Sequence, residues 1–131
     1  MLPVRLRIGG ACWAVCLAVA GLSFLDSAWW RVNPVLGTAN QLGGPVLWSV
    51  FFGAAALGLL AAAVHGSWRW WRIAAPSALG VAVCTTGAIL WEHFVGGTPL
   101  SPLGVATFLW WTAGPAAMVL SPTRGPTNGG G

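Results

Sequence analysis

Charged residues are scarce in this chain of 131 residues. It contains six basic residues, all of them arginine, and two acidic residues, so that charged side chains make up only 6% of the sequence. A typical soluble domain has about 25% charged residues. A chain with so few cannot cover its surface with groups that water solvates. This excludes an ordinary soluble domain and indicates that lipid covers most of the surface.

The residues that build metal and catalytic sites are also scarce. The three cysteines are Cys12, Cys16 and Cys84. Cys12 and Cys16 are four residues apart on a helix, where Cβ atoms lie about 5–6 Å from each other, whereas a disulfide needs about 3.8 Å. We therefore expect free thiols and no metal site. The sequence offers no pairing of nucleophile and base, so we predict that the protein is not an enzyme.

The two histidines, His65 and His93, fall at opposite ends of the predicted membrane spans. At the rise of an α-helix, the membrane depths predicted for His65 and His93 differ by about 30 Å. We therefore expect no bis-histidine haem. A single axial histidine for a haem or a chlorophyll-type pigment stays open for either residue, beside the simpler interpretation of a histidine at a wet interface.

Long apolar stretches are what the sequence does contain. Hydrophobic residues make up 56% of the chain, and four stretches have the length of about 20 residues that a helix needs to cross a bilayer. The sequence predicts an all-α, polytopic membrane protein with a single four-helix transmembrane domain over 1–121. Its spans are 8–28, 45–64, 73–91 and 102–121, and residues 122–131 form a disordered cytoplasmic tail.

The arginines predict the orientation of these spans. Arg5, Arg7, Arg69, Arg72 and Arg124 fall on one side of the membrane, and only Arg31 falls on the other. By the positive-inside rule this indicates an N-in/C-in topology. We expect an integral protein of a bacterial cytoplasmic membrane, and no nucleic-acid partner.

The N-terminal stretch has an alternative interpretation as a secretory signal. Ala18-Val19-Ala20 resembles a cleavage site of the A-x-A type. The apolar run, however, continues past it to Trp29-Trp30. We therefore favour an uncleaved helix.

One candidate ligand-binding set lies at the outer ends of the spans. Asp26, Arg31, Glu92 and His93 are predicted at one membrane level, and carboxylates near the membrane are functional candidates when a partner is available. Asp26 is expected to pair with Arg31, and Glu92 with His93 or Arg31. The alternative is a set of ordinary helix-end charges that extend into the headgroups.

A second candidate set is aromatic. Most of the ten tryptophans fall at predicted membrane interfaces, where they form aromatic belts, but Trp110 and Trp111 fall near the middle of the fourth span. They could form a wall for a flat apolar ligand such as a quinone or a pigment. The alternative is helix packing in which a nearby threonine accepts a hydrogen bond from an indole N–H.

The second predicted span is rich in glycine and alanine around much of its circumference. Such surfaces let helices approach closely in lipid. We therefore expect this span to be buried against other helices in an assembly. The sequence favours a non-catalytic accessory or scaffold subunit whose partners are membrane lipids and a larger membrane-protein complex or copies of itself. The alternative is a small oligomeric transporter or channel with an outer-facing polar site. An enzyme or redox carrier is the least favoured.

Overall fold

The computed structural model describes residues 1–26 and 37–120, and this part of the chain is helical with no strand. It contains four long helices and one short helix. In chain order they are α1 (Val4–Ser23), α2 (Gly37–Gln41), α3 (Gly44–His65), α4 (Trp68–Phe94) and α5 (Pro102–Leu120).

Three of these helices, α1, α3 and α4, are long and apolar enough to cross a membrane. The shorter apolar stretch Gly104–Leu120 lies within α5. Because a backbone in hydrocarbon must satisfy its hydrogen bonds internally, helices of this length and composition are characteristic of membrane proteins.

The tight connection between α3 and α4 follows from local chemistry. Gly66 ends α3 in the left-handed conformation, with φ of 62°, and its N–H donates to the carbonyl of Ala62. Glycine adopts this conformation without the steric cost that a Cβ would bring. The next residue, Ser67, caps α4 because its side-chain oxygen accepts a hydrogen bond from the N–H of Arg69. These two residues reverse the chain at one end of the bundle.

Some helix boundaries differ from the sequence prediction. The helix α1 ends at Ser23, so the predicted end of the first span at 28 lies beyond the helix and outside the described residues. The helix α4 begins at Trp68 and ends at Phe94, so it is longer than the predicted 73–91. Ser67 is an N-cap and extends the helix through Arg69 and Arg72, which the charge pattern alone placed in a loop. The bounds of α3 and α5 lie within a residue of those predicted.

The helix α3 lies between α1 and α4, and α5 packs mainly on α4. The contact between α3 and α1 is close at Gly21 of α1. A Cβ there would lie 3.4 Å from the carbonyl oxygen of Ser49 and 3.6 Å from the amide nitrogen of Gly53, both on α3. The Ser49 hydroxyl donates to the Gly21 carbonyl at 2.6 Å. The glycine thus allows α1 and α3 to pack closely enough for a serine side chain of one helix to reach the backbone of the other.

Four of the six alanines of α3 face these neighbours within the same chain. Ala55, Ala56, Ala62 and Ala63 are buried, and a Cβ at Gly58 would lie 3.5 Å from the Cβ of Ala74 on α4. The outward surface of α3 carries larger side chains, among them Val46, Val50, Leu57, Leu60 and Val64. The small-residue surface therefore has partners inside the chain, and it no longer requires a second chain to explain it.

Candidate functional site

Glu92 is the central residue of the outer polar cluster predicted from sequence. Its carboxylate accepts hydrogen bonds from the backbone N–H of Thr38, at 3.1 Å, and from the Thr38 hydroxyl. The Thr98 hydroxyl donates to the other carboxylate oxygen at 3.4 Å. The side chain therefore connects the last turn of α4 to the start of α2 and to the loop that precedes α5.

Two glycines make room for this carboxylate. A Cβ at Gly37 would lie 3.3 Å from Oε1 of Glu92, and one at Gly96 would lie 2.6 Å from the same atom. At Gly96 the side chain or the loop would have to move. The carboxylate is thus enclosed by backbone on two sides, which favours a role in holding the connecting segments in place.

The other members of the predicted cluster are arranged differently. The Nδ1 atom of His93 donates to the carbonyl of Thr98 at 2.8 Å, and the ring lies against Phe94. Asp26 lies just beyond the end of α1 and is exposed. Arg31, and with it the predicted pairing with Asp26 or Glu92, lies outside the described residues. Glu92 and His93 therefore both bond to Thr98, in the loop between α4 and α5.

Two of the tryptophans predicted for the membrane interfaces, Trp48 and Trp71, are buried within the bundle. Trp48 is 7% exposed, and its indole N–H donates to the carbonyl of Ala39 at 2.8 Å, which attaches α2 to α3. Trp71 is buried against α1, where a Cβ at Gly10 would lie 2.9 Å from its ring. Trp91 and Trp70 are exposed near the two ends of α4, as an aromatic belt requires. Trp29 and Trp30 lie outside the described residues.

Trp110 and Trp111 do not form a common wall. Consecutive residues on a helix point about 100° apart, and the two rings lie on different surfaces of α5. Trp111 packs edge-on against Phe52 of α3 with ring centroids 5.9 Å apart, and its Nε1 is buried with no hydrogen-bond partner among the described residues. Trp110 is 77% exposed on the outside of the bundle.

Polar side chains at the middle of the helices are engaged within the chain. The Thr86 and Thr112 hydroxyls, on α4 and α5, lie 2.8 Å apart in a hydrogen bond. The Thr85 hydroxyl donates to the carbonyl of Val81 one turn earlier. These bonds satisfy hydroxyls that would otherwise be costly to bury in hydrocarbon.

The histidines and cysteines are spread over the bundle. His65 ends α3 beside the start of α4, while His93 lies in the last turn of α4, which is about 40 Å long at the helical rise. Cys12, Cys16 and Cys84 are free thiols on exposed surfaces of α1 and α4. Within the described residues no cluster of three His, Cys, Asp or Glu side chains could hold a metal ion.

Sequence reasoning missed a lateral groove between α1 and α3. Its larger cavity, of about 370 Å³, has small residues on its floor and leucines and valines on its walls. A second cavity of about 300 Å³ continues toward the start of α1, and Leu60 lines both. We call the two together the α1–α3 groove. The recurrence of Ala14, Ala18 and Gly21 at helical spacing on α1 was the available signal, because it predicts one smooth helix surface.

Arg7 lies where the groove reaches the start of α1. Its Nε donates to the carbonyl of Ala63 at 2.7 Å and its Nη2 to the carbonyl of Val64 at 3.1 Å. The last carbonyls of a helix have no partner within the helix and carry partial negative charge, so a guanidinium satisfies them well. Arg7 also lines the second cavity of the groove. The positive charge of Arg7 is therefore held in place at one end of the α1–α3 groove.

Comparison with protein-family models, with curated proteins and with solved structures found no match for this chain. The geometry of the helices and of the groove is therefore the basis for a functional inference.

Proposed function

We propose that this chain is a four-span accessory subunit of a bacterial cytoplasmic membrane, with both ends of the transmembrane domain on the cytoplasmic side, and that it packs against a larger membrane protein. The charge distribution supports the topology, since five of the six arginines belong to the proposed cytoplasmic side. The length of α5, at 19 residues, suits a fourth span.

The exposure of Trp110 is the observation that carries the proposed role. The residue lies at the middle of α5, and 77% of it is exposed. Tryptophan in membrane proteins favours the interfaces, where its N–H meets water. At mid-span the indole N–H of Trp110 makes no hydrogen bond with the described residues. A partner helix that contributes a carbonyl or hydroxyl at this depth would satisfy it and cover the ring.

The engaged polar groups favour this role over that of a transporter or channel. A transport pathway needs polar groups that face a passage, whereas Thr85, Thr86 and Thr112 bond within the chain. The larger cavity of the α1–α3 groove has an almost wholly apolar lining to which Ser49 adds one hydroxyl, and that hydroxyl donates to the carbonyl of Gly21. Arg7 lines the second cavity and donates to the carbonyls of Ala63 and Val64. Glu92 likewise serves the connections between helices.

The test is purification of the tagged chain from its native membranes in mild detergent. We expect one partner in a fixed ratio to the chain, measured by blue-native electrophoresis and mass spectrometry. Trp110→Leu should reduce recovery of that partner several-fold while the helical circular dichroism spectrum stays unchanged. Trp91→Leu is the matched control because Trp91 is also exposed but lies at a helix end, where a belt explains it.

Three results would contradict the proposal. The chain could be recovered alone, the two variants could behave identically, or the chain could assemble only with copies of itself. An absorption spectrum of the same preparation tests whether a pigment or quinone accompanies the complex. A chromophore that follows the chain and is lost with Trp110→Leu would replace the accessory role with ligand binding at Trp110.

A further inference from the structure

We infer that the α1–α3 groove binds one acyl chain of an anionic phospholipid whose phosphate lies beside Arg7. This inference requires that α1 and α3 lie in a membrane, and it is independent of the proposed accessory role. It rests on the shape of the groove, its apolar lining, and the placement of charge at one end.

The shape of the groove suits an acyl chain. The close approach of α1 and α3 at Gly21 leaves a furrow on the outside of the helix pair, and residues such as Leu57 and Leu60 line it. A Cβ at Gly53, which also lines it, would meet no atom within 4 Å, so the floor is open at this point.

The part of the groove between Arg7 and Ala18 has the length of one leaflet, and the larger cavity continues past Ala18 to Leu25. Ala18 lies about 16 Å along α1 from Arg7 at the helical rise, and half of the hydrocarbon core is about 15 Å. An acyl chain that begins beside Arg7 would therefore run past Ala11 and end near Ala18. Ala11 lines the cavity at the Arg7 end, and Ala18 lines the larger cavity.

The charge at the Arg7 end selects an anionic headgroup. Arg7 uses Nε and Nη2 to bond the end of α3, which holds the guanidinium in place while its positive charge persists. Arg5, two residues earlier on the first turn of α1, is exposed and points to a different side of the helix. Both acidic residues of the sequence, Asp26 and Glu92, belong to the opposite end of the bundle. A phosphate at this end therefore meets only positive side chains, which favours lipids with net negative charge.

Native mass spectrometry of the purified full chain tests the inference. Phosphatidylglycerol and phosphatidylcholine with identical acyl chains are titrated separately into the protein in mild detergent. We expect the wild-type chain to bind one phosphatidylglycerol about fivefold more tightly than phosphatidylcholine, the factor for one basic residue near a phosphate. The absence of this preference would overturn the inference.

Arg7 variants separate headgroup recognition from helix capping. Arg7→Gln should remove the preference for phosphatidylglycerol. Arg7→Lys should keep most of it, since the positive charge remains although the paired bonds to Ala63 and Val64 are lost. Arg5→Gln is the control and should change the preference less than Arg7→Gln does. Loss of the preference in Arg7→Lys to the same extent as in Arg7→Gln would contradict recognition by charge.

Groove-filling variants test the acyl-chain site. The double variant Ala11→Phe with Ala18→Phe should weaken binding of both lipids several-fold, because the rings occupy the groove. The matched control combines Ala54→Phe with Ala113→Phe, two exposed alanines that do not line it. Equal lipid binding in the filled and control variants would overturn the inference. A wild-type dimer that only the filled variant loses would also overturn it, because a helix of a second copy would then occupy the groove.

Discussion

Gly114 of α5 packs against the ring of Trp13, in a position where the Cβ of any other residue would clash with that ring. A Cβ at this position would overlap Cζ2 of Trp13, far inside van der Waals contact. The close approach of α5 to α1 therefore depends on this glycine.

Gly114→Ala should lower the free energy of unfolding by about 1–3 kcal/mol, the usual cost of overpacking. Gly87→Ala is the matched control, since a Cβ there would meet no atom within 4 Å and alanine favours the helix. Urea unfolding in detergent, followed by tryptophan fluorescence, measures both. The pair Trp13→Leu and Gly114→Ala should be less destabilised than the sum of the single changes. Strict additivity would show that the two residues do not interact.

Glu92 connects segments that are distant in sequence, so its removal should lower stability and loosen the structure at Thr38. Glu92→Ala leaves the N–H and the hydroxyl of Thr38 without their acceptor, and we expect a loss of about 1 kcal/mol. The Thr38 amide should exchange with deuterium faster, as measured by mass spectrometry. Glu92→Gln keeps an acceptor oxygen and should have a smaller effect.

Gln41→Ala is the control for this prediction because Gln41 is exposed on the same short helix α2. If Glu92→Ala leaves exchange at Thr38 unchanged, the carboxylate does not hold α2 in place. A ligand-binding role for Glu92 and His93 would then be favoured over a structural one.

At the scale of the helix, the end of α3 depends on a side chain from α1. Arg7 supplies donors to two carbonyls that a helix end leaves unpaired, while Gly66 supplies the backbone reversal. From the sequence, Arg7 is predicted to act in membrane topology alone. Its bonds to Ala63 and Val64 show that the same charge also closes a helix end.

Arg7→Met keeps the apolar stem and removes the donors, so it should lower the free energy of unfolding by about 1–2 kcal/mol. Deuterium exchange should increase in the last turn of α3 and at Gly66, and remain unchanged at the middle of the helix. Arg5→Met should leave both measurements near those of the wild type because Arg5 is exposed. Uniform destabilisation without local exchange at this end would argue against capping.

For the whole molecule, the proposed topology predicts which positions a membrane-impermeant thiol reagent reaches. With Cys12, Cys16 and Cys84 replaced by alanine, Gln41→Cys and Pro99→Cys should react from outside intact cells. Arg69→Cys and Thr123→Cys should react only after the membrane is permeabilised. Reaction of Thr123→Cys but not of Arg69→Cys in intact cells would exclude a fourth span. Reaction of both would reverse the orientation.

The sequence alone determined the class of the molecule and the approximate extent of its helices. Scarce charge and long apolar stretches require lipid as solvent, and a backbone in lipid must bond to itself within each helix. Both are local properties of the chain. For this reason the predicted bounds of α3 and α5 lie close to those observed, and α4 differs mainly where Ser67 caps it.

Only the tertiary structure decided which side of each helix faces protein. In a soluble helix the buried face is apolar and the other is polar, but a helix that is apolar all round carries no such signal. Trp48 and Trp110 are the same residue type on two apolar helices, yet one is buried against α2 and the other points outward. The partner of Glu92, the capping role of Arg7 and the α1–α3 groove also arise between helices. They depend on how the helices pack, because packing in lipid is governed by the fit of surfaces and not by exclusion of water.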